Sequence, residues 1–541
     1  MKMKLIACFL IACISAQVGY TQLNVGTGQL FIQTGAIVSV QGDVTSGTDI
    51  LGPGKILLNG TANQNVNMGG FIIPNLEVNN TANITMTGDA KIGTSLLFTA
   101  GKILAGAFNL TLADVATASG GGTSKFIETS STGQVKKNVT ANLASFEMPV
   151  GSGTLYSPVF LTTTGSNAGA VVGVKSVAVA DPNKPIRSTD YLTRYWPITQ
   201  TGIAGTLSAT GQYNDPTDIS AGGLEASLYG MFYNGTNWSL GPIVDALNNK
   251  ATATIVGNGD LYAMNKFVLS KMKVYLEAPF NAGVMDDKLR TSVAYVPGTY
   301  PASNLIPLSD PYRTAPLNAS FSHFGNTSVE TITQSVLNDL AIPTDQIVDW
   351  VYVELRTNVM PGNTIVQTRS ALLKRDGNIV DIDGVSPLYF KDIAAGTYAL
   401  TVRHRNHLAL SLNPTTASVA LDLPAGSTVD FTTLPASSLM GIANSAYFND
   451  GIYNMLYGGN ANFNTKTSFN GLSNDKDYIL LDPTYGLNGN SGTPLTNVYY
   501  PTDVNMNRKV SFNGLNNDKD FILLTVLGGN SGSPKTQVLP N

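Results

Sequence analysis

The sequence has few cysteines, few charged residues and few histidines. Of its 541 residues, 2 are Cys and 3 are His, and 13% are Asp, Glu, Lys or Arg. Globular chains usually carry about a quarter charged residues, so this composition argues against a long solvated helix bundle or coiled coil. The formal net charge of −4 is too small and too mixed for electrostatic capture of nucleic acid. The wealth of Gly, Asn, Ser and Thr instead favours strands and turns.

The first 22 residues have the layout of a secretory signal peptide. Lys2 and Lys4 precede an apolar run from Leu5 to Ile14, and small residues follow the run at Ser15 and Ala16. The run is too short to span a bilayer, and no second apolar run of spanning length follows it. We therefore expect cleavage near the end of residues 1–22 and a mature chain that is secreted or held at the outer cell surface.

Both cysteines lie within this signal segment. Removal of Cys8 and Cys13 leaves a mature chain without disulfides, so its stability must come from burial and hydrogen bonds. An alternative is that Cys13 is a lipid-attachment site, although the apolar stretch before it is short and no polar tether follows. The mature net charge becomes about −6, which favours solubility.

Residues 23–155 contain short apolar alternations separated by Gly and Asn. Strands this short cannot each bury a face alone, so they must stack. The spacing of roughly one rung per 10 to 20 residues predicts a parallel β-helix-like solenoid with Asn and Thr at its corners. The alternative is a meandering β-sandwich. Representative strands are Ile37–Val40, Ile56–Leu58, Leu76–Val78 and Leu110–Leu112.

Residues 156–272 are predicted to form a β-sandwich. An aromatic stretch around Trp196 and a second that ends at Trp238 have the composition of strands, and Asn234-Gly235 is a typical hairpin turn. The two tryptophans could stack on sugar rings. In a small β-domain, however, a tryptophan more often fills the core.

Residues 273–436 are predicted to form an immunoglobulin-like or transthyretin-like sandwich. Thr327 and Glu330 have the spacing of a capping box, which predicts a helix there. The apolar residues at helical spacing are Val329, Ile332, Val336 and Leu340. Two alternating segments, Asp349–Leu355 and Tyr398–Val402, predict strands.

All three histidines, His323, His404 and His407, fall in this segment. A metal or acid-base site is therefore worth testing. In one regular strand His404 and His407 would point to opposite faces, because side chains alternate with period two. This geometry favours a structural role for the histidines over a metal or catalytic one.

Three acidic residues of the same segment suggest a possible carboxylate pair. Asp381 and Asp383 are predicted to share a strand face, and Glu354 could lie near them, as a glycosidase requires. The dipeptide Asp383-Gly384 is explained more simply as a turn.

The strongest internal signal is a duplication within residues 437–541. The segment Asn460–Leu481 recurs as Asp503–Leu524. Each copy has oxygen-bearing side chains at relative positions 1, 3 and 5, a backbone carbonyl at 7 and later carboxylates, which is the kind of ligand set that calcium requires. The later carboxylates are predicted to precede the apolar start of a helix. The predicted ligands are Asp503, Asn505, Asn507, Lys509, Asp518 and Asp520 in the second copy and Asn460, Asn462, Asn464, Lys466, Asp475 and Asp477 in the first.

The two copies differ in their predicted affinity for calcium. Asn460 replaces the leading carboxylate of Asp503, so the second copy is expected to bind calcium more tightly. Both copies depart from the twelve-residue calcium loop, because about seven extra residues precede the last carboxylate and Thr465 or Arg508 replaces the usual glycine. The alternative is a pair of Asn-rich turns held by hydrogen bonds from side chains to the backbone.

Several stretches support a family resemblance that covers nearly the whole mature chain. They are Phe146–Val159, Asp349–Arg356, Arg369–Gly377, Val402–Leu408 and the two C-terminal copies. In these stretches the chain resembles the modular secreted, hemagglutinin- or adhesin-like surface proteins of the Bacteroidota. The C-terminal copies resemble the dockerin-like repeats of that family. The resemblance implies export to the cell surface or the medium and calcium at the repeats.

The sequence leaves two alternative functions from different classes. The first is a noncatalytic secreted or cell-surface structural or adhesion protein with C-terminal docking repeats. Its partner would be an extracellular protein, a glycan or a second copy, and it would have no transmembrane span. This function needs no reactive cluster, and the sequence has no HExxH motif, phosphate loop or cysteine nucleophile. The alternative is a carbohydrate-active enzyme with acids drawn from Glu354, Asp381 and Asp383.

Overall fold

The computed structural model describes most of the chain. The described residues are 22–165, 167–290, 304–326, 328–338, 345–421 and 428–540. The predicted signal segment, with both cysteines, lies outside the described residues apart from Gln22. Within them the protein is mainly β, with 40% strand and 7% helix, as the sequence predicted.

The chain folds into two compact units. The first comprises the residues through Lys184 together with Thr189–Asn265. The second comprises Pro185–Ser188 together with Lys266–Asn541. The predicted sandwich of 273–436 and the duplicated segment within 437–541 therefore both contribute to the second unit.

The first unit contains the predicted parallel β-solenoid, which has about six turns. Strands of successive turns pair in parallel, with Val38 opposite Ile56 and Ile56 opposite Leu76. Because side chains alternate across a strand, Ile56 and Leu76 point inward and are buried. The parallel pairing confirms the solenoid and excludes the meandering sandwich for this region.

Three sheets build the first unit. The first solenoid sheet consists of Leu23–Asn24, Val44–Thr45, Gln64–Asn67, Ile84–Met86, Ile103–Leu104, Ile127–Glu128, Val150–Ser152 and Leu155–Tyr156. A twelve-stranded sheet consists of Ile37–Val40, Lys55–Leu58, Ile72–Asn79, Ala90–Ala100, Leu110–Leu112, Thr117–Ser119, Val135–Val139, Ala170–Val174, Trp196–Thr201, Gly259–Asn265, Leu228–Tyr233 and Trp238–Ile243. The third sheet consists of Phe146–Met148, Val159–Thr163, Leu207–Gln212 and Lys250–Ile255.

Buried amide side chains join neighbouring turns of the solenoid. Gln64 donates through Nε2 to the carbonyl of Val40 at 3.0 Å, and its Oε1 accepts from Asn80 at 2.9 Å. Asn80 also donates to the carbonyl of Ala62 at 2.8 Å. These bonds satisfy backbone groups where the chain turns, so asparagine serves at a solenoid corner as predicted.

Both tryptophans of the first unit lie in the core. Trp196 is fully buried and donates its indole N–H to the carbonyl of Ser157 at 3.0 Å. Trp238 is 4% exposed and begins the second strand of the predicted hairpin, which turns at Asn234-Gly235. The core interpretation is confirmed for both residues, and neither presents an open ring face to a sugar.

The second unit is built around a large sheet that is antiparallel except where Thr428–Asp430 pairs in parallel with Phe267–Lys273. Its strands are Leu388–Lys391, Phe267–Lys273, Asn378–Val380, Ile365–Lys374, Ile347–Thr357, Gly396–His404 and His407–Ser411, with Val419–Leu421 and Thr428–Asp430 at the side. Four two-stranded pairs are Phe280–Asn281 with Val284–Met285, Phe448–Asn449 with Asn454–Met455, Lys466–Thr467 with Lys535–Thr536, and Leu495–Thr496 with Lys509–Val510. Both predicted strands are confirmed, and the structure pairs them, with Val353 opposite Val402 and Leu355 opposite Leu400.

Helices are few and short within the described ranges. The α-helices are Gln334–Leu337, Asp475–Leu481 and Asp518–Asp520, and a π-helical turn follows at Phe521–Val526. The 3-10 turns are Glu225–Ser227, Pro311–Arg313, Leu317–Ala319 and Ala436–Ser438. None of these helices is long and apolar enough to cross a membrane.

The helix start that the capping box predicted is wrong. Thr327 and Leu340 lie outside the described residues, and the observed helix begins only at Gln334. Glu330 is fully buried, where its Oε1 accepts a hydrogen bond from Arg369 Nε at 2.9 Å. The side chain that was expected to cap a helix is therefore held in a tertiary ion pair, which local sequence spacing could not indicate.

Candidate functional site

The duplicated segment forms two equivalent structures in the second unit. In each copy an extended loop leads into a helix that begins at Asp475 or Asp518. Asn474 Oδ1 accepts the N–H of Asp477 at 2.8 Å, and Asn517 Oδ1 accepts the N–H of Asp520 at 2.8 Å. These asparagines cap the two helices, so the predicted helix start is confirmed in both copies.

One fully buried carboxylate fastens each loop to its helix. Asp475 accepts three backbone N–H bonds, from Ala461 at 2.8 Å, Asn462 at 3.4 Å and Ser468 at 2.8 Å. Asp518 repeats the pattern with Val504 at 2.9 Å, Asn505 at 3.4 Å and Ser511 at 2.8 Å. Burial raises the pKa of Asp475 to about 7, and burial with repulsion from Asp503 raises the pKa of Asp518 well above its usual range.

The asparagine pairs at relative positions 3 and 5 hold the loops closed. Asn462 and Asn464 both donate to the carbonyl of Ser473, at 2.7 and 3.3 Å. In the second copy Asn505 and Asn507 both donate to the carbonyl of Asn516 at 3.0 Å. Each of these side-chain oxygens accepts the backbone N–H two residues later, from Asn464, Lys466, Asn507 and Lys509 respectively. The asparagines thus form turns that are held by hydrogen bonds from side chains to the backbone.

Position 1 distinguishes the copies electrostatically. Asp503 is fully buried and accepts the N–H groups of Asn507 at 2.9 Å and Arg508 at 2.8 Å. Burial raises the pKa of Asp503 to about 7, although the positive charge of Arg405 opposes this shift. Asn460 donates to the carbonyl of Asn464 at 2.9 Å, while its Oδ1 is buried without a partner.

The remaining predicted ligands lie nearer the surface. Asp477 and Asp520 each accept a side-chain N–H from the capping asparagine at 2.7 Å. Each also pairs with the preceding lysine, Lys476 or Lys519. Lys466 and Lys509 occupy the short strands Lys466–Thr467 and Lys509–Val510, where their backbone carbonyls were predicted to bind.

The donors of the second copy fit an oxygen-bound cation better than those of the first. Asp503 and Asp518 supply two buried carboxylates that repel each other. The amide oxygens of Asn505 and Asn507 each retain a lone pair after accepting one N–H. Across the described ranges no group of three or more His, Cys, Asp or Glu side chains is placed to hold a metal, so amide or backbone oxygens would have to complete any site.

Each copy also carries a cleft with exposed leucines, which the sequence reading missed. The first cleft measures about 570 Å³ and includes Tyr478 and Leu481, and the second measures about 490 Å³ and includes Phe521 and Leu524. Their polar walls are formed by Asn462, Asn464, Asn474 and Asp477 in the first copy and Asn505, Asn507, Asn517 and Asp520 in the second. The leucines are 90% exposed at Leu472, 60% at Leu481, 85% at Leu515 and 63% at Leu524. Their recurrence in the duplication is the signal that could have identified them.

The histidine pair lies where the large sheet of the second unit meets the second copy. His404 ends one strand and His407 begins the next, so the two residues face each other across a two-residue turn. Their Nδ1 atoms are 3.0 Å apart and their ring centroids 4.9 Å apart. The expectation that they point to opposite faces is wrong, because the strand ends at His404 and the hairpin makes the two histidines cross-strand partners.

A closed network surrounds Asp349 and this histidine pair. Asp349 Oδ2 lies 3.1 Å from His404 Nε2 and 2.9 Å from Arg405 Nε, and its Oδ1 accepts from Tyr499 at 2.5 Å. His407 Nε2 accepts the N–H of Ala278 at 3.2 Å. These contacts confirm a structural role for both histidines.

The same hairpin contacts the second repeat directly. Arg405 donates to the carbonyl of Tyr500 at 2.5 Å, and Asn406 donates to the carbonyl of Asp503 at 2.8 Å. His323 lies elsewhere, edge-on to Tyr352 with ring centroids 5.2 Å apart. Buried polar groups thus connect the duplicated segment to the large sheet of the second unit.

The three acids considered for catalysis have separate structural partners. Glu354 forms ion pairs with Arg356 and Arg403, and Asp381 pairs with Arg369 at 2.9 Å. The strand Asn378–Val380 ends before Asp381, so the expectation that Asp381 and Asp383 share a strand face is wrong. Asp383 accepts the N–H groups of Val385 at 2.9 Å and Ser386 at 2.8 Å, which confirms its interpretation as a turn residue.

Comparison of the chain with protein-family models, with curated proteins and with solved structures found no match.

Proposed function

We propose that the chain is a noncatalytic structural or adhesion protein of the cell surface or the medium, and that its C-terminal repeats are a docking module. The observation that carries this proposal is the pair of clefts in the repeats, the first lined by the exposed Leu481 and the second by the exposed Leu515 and Leu524. Leu472, which corresponds to Leu515 in the duplication, is also exposed. Burying a leucine contributes about 1.5 to 3 kcal/mol, so a partner that covers these side chains gains binding energy. Exposed apolar groups of this kind, rimmed by polar residues, are typical of interaction sites.

Backbone geometry holds the two most exposed leucines of the repeats away from the protein. Gly471 and Gly514 have φ values of +94° and +89°, which L-residues with a side chain rarely adopt. Leu472 and Leu515 follow these glycines directly. Because both copies repeat the arrangement, it supports two equivalent points of attachment for an extracellular protein or glycan.

The surroundings of the acidic residues also support a noncatalytic protein. Glu354 and Asp381 are each neutralised by arginine and buried, and Asp383 closes a turn. A general acid or nucleophile has to reach a substrate, whereas these carboxylates are occupied by protein groups.

We expect the double variant Leu472→Ser/Leu515→Ser to lose adhesion. Beads that carry the full chain would be washed over immobilised mucin, collagen and fibronectin, and retention would be counted. Loss of two central apolar contacts should lower retention on the bound surface by about tenfold or more. Leu247→Ser is the matched control, because Leu247 is 91% exposed and lies outside the repeats.

Two results would contradict the docking proposal. One is equal retention of the double variant and the Leu247→Ser control. The other is release of sugars from a polysaccharide by the purified chain, which would favour the carbohydrate-active alternative instead.

For the second repeat we propose calcium as a stabilising ion, held by Asp503 and Asp518 with the amide oxygens of Asn505 and Asn507. The support is electrostatic, because two buried carboxylates that repel each other are relieved by a cation. The first copy has Asn460 in place of one carboxylate and should bind more weakly.

We expect about 1 mM calcium to slow amide hydrogen exchange locally in the segment 503–526 of the full chain. Asp503→Asn, which reproduces the first copy, should abolish this protection. Asn460→Asp, the reverse change, should create calcium-dependent protection in 460–481. Protection that is unchanged in Asp503→Asn would rule out this ion site.

A further inference from the structure

Two matched Asn-Gly pairs lie in the duplicated loops. In each copy a Phe-Asn-Gly-Leu segment places the pair directly before the exposed leucine, as Asn470-Gly471 and Asn513-Gly514. Both asparagines are exposed, and the two glycines have nearly equal φ values of +94° and +89°. Because the local sequence and the glycine conformation are the same, a difference in the chemistry of the two pairs has to come from neighbouring groups.

An Asn-Gly pair can react within itself, because the chain joins the two reacting atoms. The glycine nitrogen attacks Cγ of the asparagine and closes a succinimide ring. Glycine favours this step, since it has no Cβ to crowd the attacking nitrogen. A hydrogen bond that holds the asparagine side chain or the glycine N–H has to break before the ring closes.

In the first copy both reacting groups are free. Among the described residues, no hydrogen bond involves the side chain of Asn470 or the N–H of Gly471. Apart from its chain neighbours, no described atom lies within 4 Å of the Cβ position of Gly471. The carbonyl of Gly471 accepts the side-chain N–H of Asn474 at 2.7 Å, which anchors the loop without engaging the reacting atoms.

In the second copy the asparagine amide is held. Asn513 donates through Nδ2 to the carbonyl of Ser491 at 3.1 Å. This bond restrains the rotation that would bring Cγ of Asn513 towards the nitrogen of Gly514. The hydrogen bond to Ser491 therefore separates two pairs that the sequence alone makes equivalent.

The other four Asn-Gly pairs of the chain are also held by hydrogen bonds. The bonds are Ser39 Oγ to Asn59 Oδ1 at 3.0 Å, the N–H groups of Thr236 and Asn237 to Asn234 Oδ1 at 3.0 and 2.8 Å, the N–H of Gln200 to Asn258 Oδ1 at 2.8 Å, and the N–H of Gly489 to the carbonyl of Leu480 at 2.7 Å. Each bond fixes the asparagine side chain or engages the attacking nitrogen. Asn470-Gly471 is thus the one pair without such a restraint in the described parts of the chain.

We propose that Asn470 is a site of spontaneous deamidation. The nitrogen of Gly471 loses its proton to solvent and bonds to Cγ of Asn470, and the bond from Cγ to Nδ2 breaks and releases ammonia, which takes up a proton. Water then opens the succinimide. Hydrolysis of the new bond leaves aspartate, and hydrolysis of the original peptide bond leaves isoaspartate, in which the main chain runs through Cγ. Water is the only co-reactant, and nothing is oxidised or reduced.

The product carries a new negative charge two residues before Leu472. The charge lies close in sequence to Ser473, which lines the first cleft together with Asp477 and Asp482. Isoaspartate also lengthens the main chain by one methylene group ahead of Leu472. Any change in docking at the first cleft rests on the proposed function, whereas the modification itself does not.

Peptide mapping of the full chain tests the site. The folded chain is incubated at mildly alkaline pH in water enriched in heavy oxygen and then digested with trypsin in ordinary water. Trypsin places the two asparagines in the matched peptides 467–476 and 510–519. We expect one heavy oxygen in each converted peptide. Asn470 should convert about fivefold faster than Asn513, because one hydrogen bond has to break in the second copy.

The chain unfolded in guanidinium chloride is the matched control. Unfolding removes the bond between Asn513 and Ser491, so the two rates should become equal. Equal rates in the folded chain would overturn the proposal. A difference that persists in the unfolded chain would also overturn it, because the cause would then be the sequence. The readout is mass rather than retention on a surface, so failure of this proposal is distinguishable from failure of docking.

Discussion

Replacing Asp349 by alanine is expected to lower the free energy of unfolding of the second unit by about 3 to 5 kcal/mol. Asp349 is fully buried, and it is the shared partner of Arg405, His404 and Tyr499. Without it the guanidinium of Arg405 remains buried and uncompensated. Removing Asp349 therefore costs more stability than the ion pair itself contributes.

Urea unfolding followed by tryptophan fluorescence measures this effect. Trp350, next to Asp349, is fully buried in the same unit and reports its loss of structure. Asp286→Ala is the control, since Asp286 pairs with Lys288 at 2.9 Å where the two side chains are 33% and 55% exposed. An exposed pair contributes about 0 to 1 kcal/mol. A change of similar size in both variants would show that the Asp349 network is not important for stability.

Acidification below about pH 6.5 is expected to remove stability that His404 and His407 contribute. Each ring nitrogen of His407 already has a partner in the neutral form, because Nε2 accepts from Ala278 and Nδ1 faces His404 and Asn406. Burial lowers the pKa of His404, and burial with the nearby charge of Arg405 lowers that of His407 further. Each neutral histidine therefore contributes its full stabilisation above about pH 6.5. Below that pH, each contribution to the free energy of unfolding falls by about 1.4 kcal/mol per pH unit.

Buried carboxylates act in the opposite direction. Burial raises the pKa values of Glu277, Asp475 and Asp503 to about 7. These carboxyl groups contribute their full stabilisation below the ordinary carboxyl pKa of about 4. That contribution is lost as the pH rises towards 7. The overall pH dependence of unfolding is the difference between the two effects.

An NMR titration of the imidazoles separates the histidines from the carboxylates. In the folded chain we expect the pKa values of His404 and His407 to lie below the value of about 6.5 that they should show in the urea-unfolded chain. The resonance that disappears in the His323→Asn variant belongs to His323, the third histidine of the chain. A folded-state titration of either buried histidine near 6.5 would contradict the neutral network.

Local alternation was sufficient to predict much of the β-structure. The parallel solenoid, the hairpin at Asn234-Gly235 and the strands around Val353 and Leu400 follow from residue patterns with period two and from turn chemistry. In the repeats, the start of a helix near the later carboxylates was also predicted, and the helices begin at Asp475 and Asp518. These features depend on neighbours a few residues apart, which a sequence displays directly.

The errors concern residues whose partners are distant in sequence. Glu330 has the spacing of a helix cap but pairs with Arg369, and the two-residue turn after His404 reverses the chain and brings His407 beside it. The clefts of the repeats were missed because the exposure of Leu472 or Leu515 depends on how the loops fold back. No local pattern distinguishes a leucine that faces solvent from one that enters the core.

The sequence by itself determined a mainly β chain with a stacked N-terminal region and a duplicated C-terminal segment. Alternation, turn residues and repetition are all visible in the order of residues along the chain. The tertiary structure alone decided which polar groups meet. It joined Asp349, His404 and Arg405 to the second repeat and gave the carboxylates considered for catalysis separate partners. Electrostatic interactions and burial depend on distances in space, and chain folding sets those distances between residues far apart in the sequence.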